Sequence, residues 1–278
     1  STTIKVLSVF PLSANITGRG LVINSLHEQL TGNIQYFDYN GYRYSNIILD
    51  GSFTNRLFDG KVRINDRNVK LNFDGNIDLK PDRPVFNFDA VIRGANLHVL
   101  NFTKDTLQID ADFTTNFSGS NLNNIQGSFQ IEKVRLTNTE DSFVIDSVDL
   151  TAIGIGNNRS LNIRSDILDA SIKGQYDLNT LPSYFKSVAN KYIPSLGLNY
   201  VKSGIQNFDF ILNIKYFEPV SMLFIPDLKI PEGASFNGKF VYAENIANLN
   251  GSVKFLQYKD NKVNDLIIDE STSADAMN

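Results

Sequence analysis

Residues 69–80, VKLNFDGNIDLK, alternate apolar and polar side chains without a slip. Val69, Leu71, Phe73, Ile77 and Leu79 share one parity, while Lys70, Asn72, Asp74, Asn76, Asp78 and Lys80 share the other. A period of two is the signature of a β-strand with one dry and one wet face. Gly75 keeps the rhythm but leaves a hole on the apolar parity. Glycine inside a strand costs backbone entropy and packs nothing, so its place there needs a reason.

The same period runs through most of the chain. It predicts strands over 2–10, 14–23, 30–38, 42–54, 57–64, 68–80, 84–94, 105–118, 124–137 and 141–154. Further strands are expected over 159–166, 168–178, 205–217, 234–243, 246–258 and 262–269. Asn, Asp, Gly and Pro fill the gaps, as turn chemistry requires. The form apolar-x-Gly-x-apolar recurs at Gly32, Gly51, Gly60, Gly75, Gly127, Gly174, Gly238 and Gly251. Glycines that repeat on the apolar parity let a sheet bend sharply toward that face. The expected fold is therefore all-β: a long, strongly curved, mainly antiparallel sheet with an apolar interior. Such curvature gives a trough, a closed barrel or a coiled sandwich, and alternation alone does not choose among them.

Two segments break the period. TLPSYFKSVANKY places Leu181, Phe185, Val188 and Tyr192 on one helical stripe, which predicts a short amphipathic helix over 180–193. Thr180 is placed to cap it, with Pro182 in the first turn. The second segment, EPVSMLFIPDLKIPEG, carries three prolines and reads as a single helical turn at 219–224 followed by a connector. The expected organisation is a groove segment over 1–195 ending in the helix, a continuation of the same groove over 205–270, and a polar tail over 271–278.

Composition removes several function classes. Of 278 residues, 42% are hydrophobic and 20% charged, which is globular rather than disordered material. A formal charge of -4 with scattered Lys and Arg argues against a nucleic-acid partner. The chain has no cysteine, so disulfides, thiolate metal sites and a Cys nucleophile are excluded. His27 and His98 lack ligand-spaced or triad-like neighbours. The pairs Asp110/Asp112 and Asp146/Asp149 lie on alternating strands and read as solvated faces. No motif points to catalysis, to a metal or to a cofactor.

Three stretches carry a family resemblance: residues 36–102, from YFDYNGYRYSN to NLHVLNF; LNIRSDILDASIKGQYDLNTLPSYFKSVANKYIPSL at 161–196; and FIPDLKIPEGASFNGKF at 224–240. With phrases such as N-x-D-G-x-I-D-L at 72–79, they resemble the translocation and assembly module (TamB) family of AsmA-like envelope proteins, in the form found in Bacteroidota. The resemblance spans roughly residues 30 to 255 and rests on strand rhythm. It implies a periplasmic protein of a Gram-negative bacterium, anchored in the inner membrane and reaching an outer-membrane barrel of the BamA/TamA type. It also implies a sheet folded lengthwise into a "β-taco" whose greasy groove shields phospholipid acyl chains during lipid transport and outer-membrane biogenesis. The family's N-terminal anchor helix and its partner-binding end are both expected to lie outside this stretch of chain.

On that reading Phe58, Val62, Ile64, Leu71, Phe73, Ile77, Leu79, Phe113, Phe129 and Ile131 line the groove, and the eight glycines shape it. The helix over 180–193 caps or plugs it. The competing readings are a closed β-sandwich acting as a secreted binding or adhesion module, and a transmembrane β-barrel. The barrel fits poorly, since Trp is absent and a helix interrupts the strands.

Overall fold

The computed structural model describes residues 2–5, 15–23, 29–121, 123–181, 183, 186, 199, 206–219, 221, 227–241 and 246–272. The described chain is all-β, built on an antiparallel sheet that is not closed into a barrel. Among the described residues no helix is long and apolar enough to cross a membrane.

Most strands pair antiparallel with the next in sequence; near the end of the chain the pairing skips one short strand. In the first part they are β1 (Thr2–Lys5), β2 (Asn15–Ile23), β3 (Gln29–Tyr39), β4 (Tyr42–Thr54), β5 (Leu57–Asp66), β6 (Val69–Asp78), β7 (Val85–Asn96), β8 (Gln108–Ser118), β9 (Gln126–Thr137) and β10 (Ser142–Ile153). Then come β11 (Arg159–Ser165), β12 (Leu168–Gln175), β13 (Asn207–Ile214), the two-residue β14 (Leu228–Lys229), β15 (Ala234–Val241), β16 (Ile246–Tyr258) and β17 (Asn261–Thr272). The chain divides into two compact units, residues 1–118 with 128–148, and residues 119–127 with 149–278.

In the first unit, short turns set the register. Asn40 and Gly41 connect β3 to β4 with φ of +49° and +73°, the left-handed pair that a tight two-residue hairpin demands. Asp66 organises the next hairpin. Its carboxylate accepts from the Tyr42 hydroxyl at 2.6 Å, the Ser45 Oγ at 2.7 Å, the Ser45 N–H at 3.0 Å and the Asn68 N–H at 2.9 Å. Asp66 is 4% exposed, and a buried anion is tolerated only when so fully satisfied. Burial pushes its carboxyl up, but these hydrogen bonds outweigh it and hold the pKa below the ordinary value.

The core of this unit joins Ile34, Tyr44, Ile47, Val69, Ala95 and Leu100. Leu100 comes from the β7–β8 connection, which folds back over one end of the apolar face. Phe102 donates its N–H to the Leu97 carbonyl, and Leu97 donates to Leu107, both at 2.8 Å. Asn40 and Asn101 clamp this loop to the β3–β4 turn by exchanging side-chain hydrogen bonds with each other's carbonyls, at 2.8 and 2.9 Å.

The second unit has two apolar clusters. One joins Ile172, Tyr176, Phe208, Phe210 and Phe240, and the other joins Phe217, Ile230 and Val253. Arg159 stacks its guanidinium on Tyr176, 4.2 Å from the ring centroid, and donates to the Asn123 carbonyl. Lys215 pairs with Asp169 at 2.8 Å and ties β13 to β12.

Most of the helix expected over 180–193 lies outside the described residues. The helical stretch opens at Leu181, directly after Thr180, the residue expected to cap it. Asp177 closes the turn that leads in: its carboxylate takes the Asn179 N–H at 2.9 Å, and its carbonyl takes the Leu181 N–H at 2.9 Å. Asp side chains readily close such a turn on their own backbone. In the second irregular segment, Ser221 donates to the Phe217 carbonyl at 2.9 Å, one helical turn; residues 222–226 lie outside the described set.

Candidate functional site

The apolar face of the first unit is laid out by register. Leu49, Val62, Phe73, Ala90 and Phe113 form one row across β4 to β8. Ile47, Ile64, Leu71, Ile92 and Ala111 form the row on one side of it. Four residues from the first row in the other direction, Phe53, Phe58, Ile77, Phe86 and Phe117 form a third. Phe129 of β9 joins this surface through ring contacts with Phe113 at 5.9 Å and Phe117 at 6.5 Å. The structure thus brings Phe58, Val62, Ile64, Leu71, Phe73, Ile77, Phe113 and Phe129 onto one continuous face. Ile131 shares the parity of Phe129 on β9. Leu79 lies just beyond β6, its N–H bonded to the Arg56 carbonyl at 3.0 Å.

Between the first and third of those rows runs a line of glycines. Gly51 pairs with Gly60, Gly60 with Gly75, and Gly75 with Phe88. Gly75 has φ of +145°, a backbone conformation that L side chains rarely adopt. A Cβ added there would press on the Asn87 carbonyl and sit 2.6 Å from Phe88 Cβ. The space that the missing side chain leaves is therefore taken by β7, while the rings of Phe58 and Phe73 lean together at 5.9 Å beside it. Phe73 also meets Phe88 at 4.8 Å. The sequence raises the question of the hole; the register answers that a neighbouring phenylalanine fills it.

The second unit repeats the device. Gly174 faces Phe208, Gly238 faces Phe210 and Gly251 faces Phe236. A Cβ on Gly238 would sit 2.6 Å from the Phe210 ring, and one on Gly251 would meet the Phe236 ring. Gly127 has φ of +123° at the start of β9, and Gly32 pairs with Leu49.

The two units differ in how deeply their apolar faces are covered. Phe208 and Phe240 of the second unit are 2% and 0% exposed. The phenylalanines of the first unit, Phe58, Phe73, Phe86, Phe88, Phe113, Phe117 and Phe129, all remain partly exposed, and Phe53 reaches 38%. In this unit full burial is found at the end under the 97–107 loop, at small residues such as Ala111, and at Val134, Leu136 and Ile145 of β9 and β10. That loop was legible only as a connector, although Leu97, Leu100 and Phe102 in ANLHVLNF supply its apolar contacts.

The carboxylates are engaged in structure. Asp110 accepts the Gly94 N–H at 2.6 Å, and Asp112 pairs with Arg93 at 2.5 Å and Lys133 at 3.0 Å. Burial raises the Asp112 carboxyl, but Lys133 and Arg93 outweigh it and hold the pKa below its usual value. His98 is exposed in the 97–107 loop, and His27 lies outside the described residues.

In comparisons with known proteins, no family model, no curated protein and no solved structure matches this chain.

Proposed function

We propose that this chain is a segment of a periplasmic bridging protein of the TamB type, whose apolar sheet face shields lipid acyl chains on their way between membranes. The observation that carries this reading is the row of partly exposed phenylalanines and aliphatics on one face of the first unit. A large apolar surface that a folded chain leaves uncovered marks an interaction site. A 16-carbon chain in water is disfavoured by roughly 12 kcal/mol, at about 0.8 kcal/mol per methylene. Moving it from a bilayer onto such a face is close to neutral, so transfer needs no bond chemistry. The glycine line, with Gly75 in a left-handed conformation, supports a sheet bent toward that face. Contact with an outer-membrane barrel belongs to parts of the longer protein.

Mass spectrometry of lipids that copurify with the chain from a bacterial envelope tests the reading. Stoichiometric phospholipid supports it, and a chain that carries no acyl species after detergent-free purification overturns it. The sealed phenylalanines of the second unit favour the other reading, a closed sandwich that binds through its loops. In that case lipid would be absent and loop substitutions would alter partner binding.

A further inference from the structure

The polar face of the first unit carries a second feature, independent of the lipid reading. A cavity of about 730 Å³ opens there across β3 to β6. Asn33, Ile48, Arg63 and Asn72 lie side by side in register across those four strands, and Asn65 pairs with Lys70 in the next row. Arg63 and Lys70 are diagonal neighbours on adjacent strands, about 7–8 Å apart, within reach of one anion for two long side chains. Among the described residues neither forms an ion pair, whereas Lys61, one row along, is held by Asp74 at 3.0 Å. No Asp or Glu lines the cavity, in a chain whose net charge is -4. The side chains of Asn33, Gln35, Asn65 and Asn72 are exposed and form no hydrogen bond among the described residues. Ile48, 47% exposed on this otherwise polar face, adds an aliphatic contact.

From these groups we infer that the cavity binds an acidic saccharide. Free carboxamides donate and accept at once, which suits the hydroxyls of a sugar ring. Two uncommitted cations suit its carboxylate or phosphate. An exposed Ile side chain suits the C–H face of a pyranose. No single one of these features selects a ligand, but together they match a hydroxyl-rich, negatively charged molecule.

Titration of the 278-residue chain with tetragalacturonate, with the neutral galactose tetramer and with inorganic phosphate tests the inference, read by the side-chain NH₂ resonances of Asn33, Gln35, Asn65 and Asn72. The acidic tetramer is expected to shift these signals and to bind at least about tenfold more tightly than the neutral one. The double variant Arg63→Gln, Lys70→Gln alters only exposed side chains and should erase that difference while the fold persists. Three results would overturn the inference: no shift with the acidic tetramer, equal binding of the two tetramers, or a variant that keeps the preference. Phosphate alone matching the acidic tetramer would also overturn it, since the sugar would then contribute nothing. Loss of lipid copurification leaves every arm of this experiment unchanged.

Discussion

Gly75 and Phe88 face each other across β6 and β7 so closely that a Cβ on the glycine would lie 2.6 Å from the phenylalanine Cβ. The contact involves backbone as well as the phenylalanine Cβ, because the Asn87 carbonyl fills the same space. Gly75→Ala therefore meets both a steric clash and a left-handed φ. It should lower stability by roughly 1–3 kcal/mol, measured by urea unfolding. Phe88→Ala in the same background should not restore the loss, since the Asn87 carbonyl remains. A Gly75→Ala chain as stable as the parent would show that β6 and β7 can separate at no cost.

Asp66 supplies a pH-dependent contribution. Its folded pKa is lowered, so the stabilisation is fully present above its unfolded-state value near 3.8 and is lost as pH falls through the lower folded value. Asp66→Asn keeps the shape but cannot accept all four hydrogen bonds, and should cost about 1–3 kcal/mol at neutral pH. The variant should also flatten the acid limb of the stability curve. Parallel urea-midpoint curves for the two chains between neutral and acid pH would contradict this.

The Asn40–Asn101 exchange holds the loop that covers one end of the apolar face. Asn101 sits at φ of +62°, which Asn tolerates better than most residues. Asn101→Ala removes one hydrogen bond and adds conformational strain, for about 1–2 kcal/mol in total. Hydrogen exchange should accelerate at the Leu97, Leu100 and Phe102 amides and remain unchanged in β5 and β6. Uniform acceleration across the unit would mean that the loop is an integral part of the core.

Much of this architecture was readable from alternation alone. The strand expected over 57–64 is β5 at Leu57–Asp66, that over 68–80 is β6 at Val69–Asp78, and that over 246–258 is β16 at Ile246–Tyr258. Parity also placed Phe58, Val62, Phe73 and Phe113 on one face, because side-chain direction is a property of a single strand. What faces Gly75 was not readable, since register belongs to a pair of strands and depends on turn geometry. Phe88 shares its apolar parity in β7 with Phe86, Ala90 and Ile92, and nothing in the strand itself singles it out. The Asp66 network was equally hidden, for its partners Tyr42 and Ser45 lie 24 and 21 residues away and meet it only after the β4–β5 hairpin closes.

Adjacent residues on one strand provide the sharpest test of lipid shielding. Val62 and Phe73 share the apolar face, while Arg63 and Asn72, each one residue away, share the polar one. A photoreactive amino acid placed at each of the four positions in turn reports what touches either side, with the fold perturbed about equally. Acyl-chain shielding requires lipid adducts at 62 and 73 and few or none at 63 and 72. A loss of adducts at 62 and 73 after Phe58→Gln would add that the aromatic row itself holds the chain, since a polar carboxamide in that row raises the cost of acyl contact. Random lipid contamination reaches both faces and yields adducts without regard to parity. Equal crosslinking at 62 and 63 would therefore end the proposal, even if phospholipid copurifies with the chain.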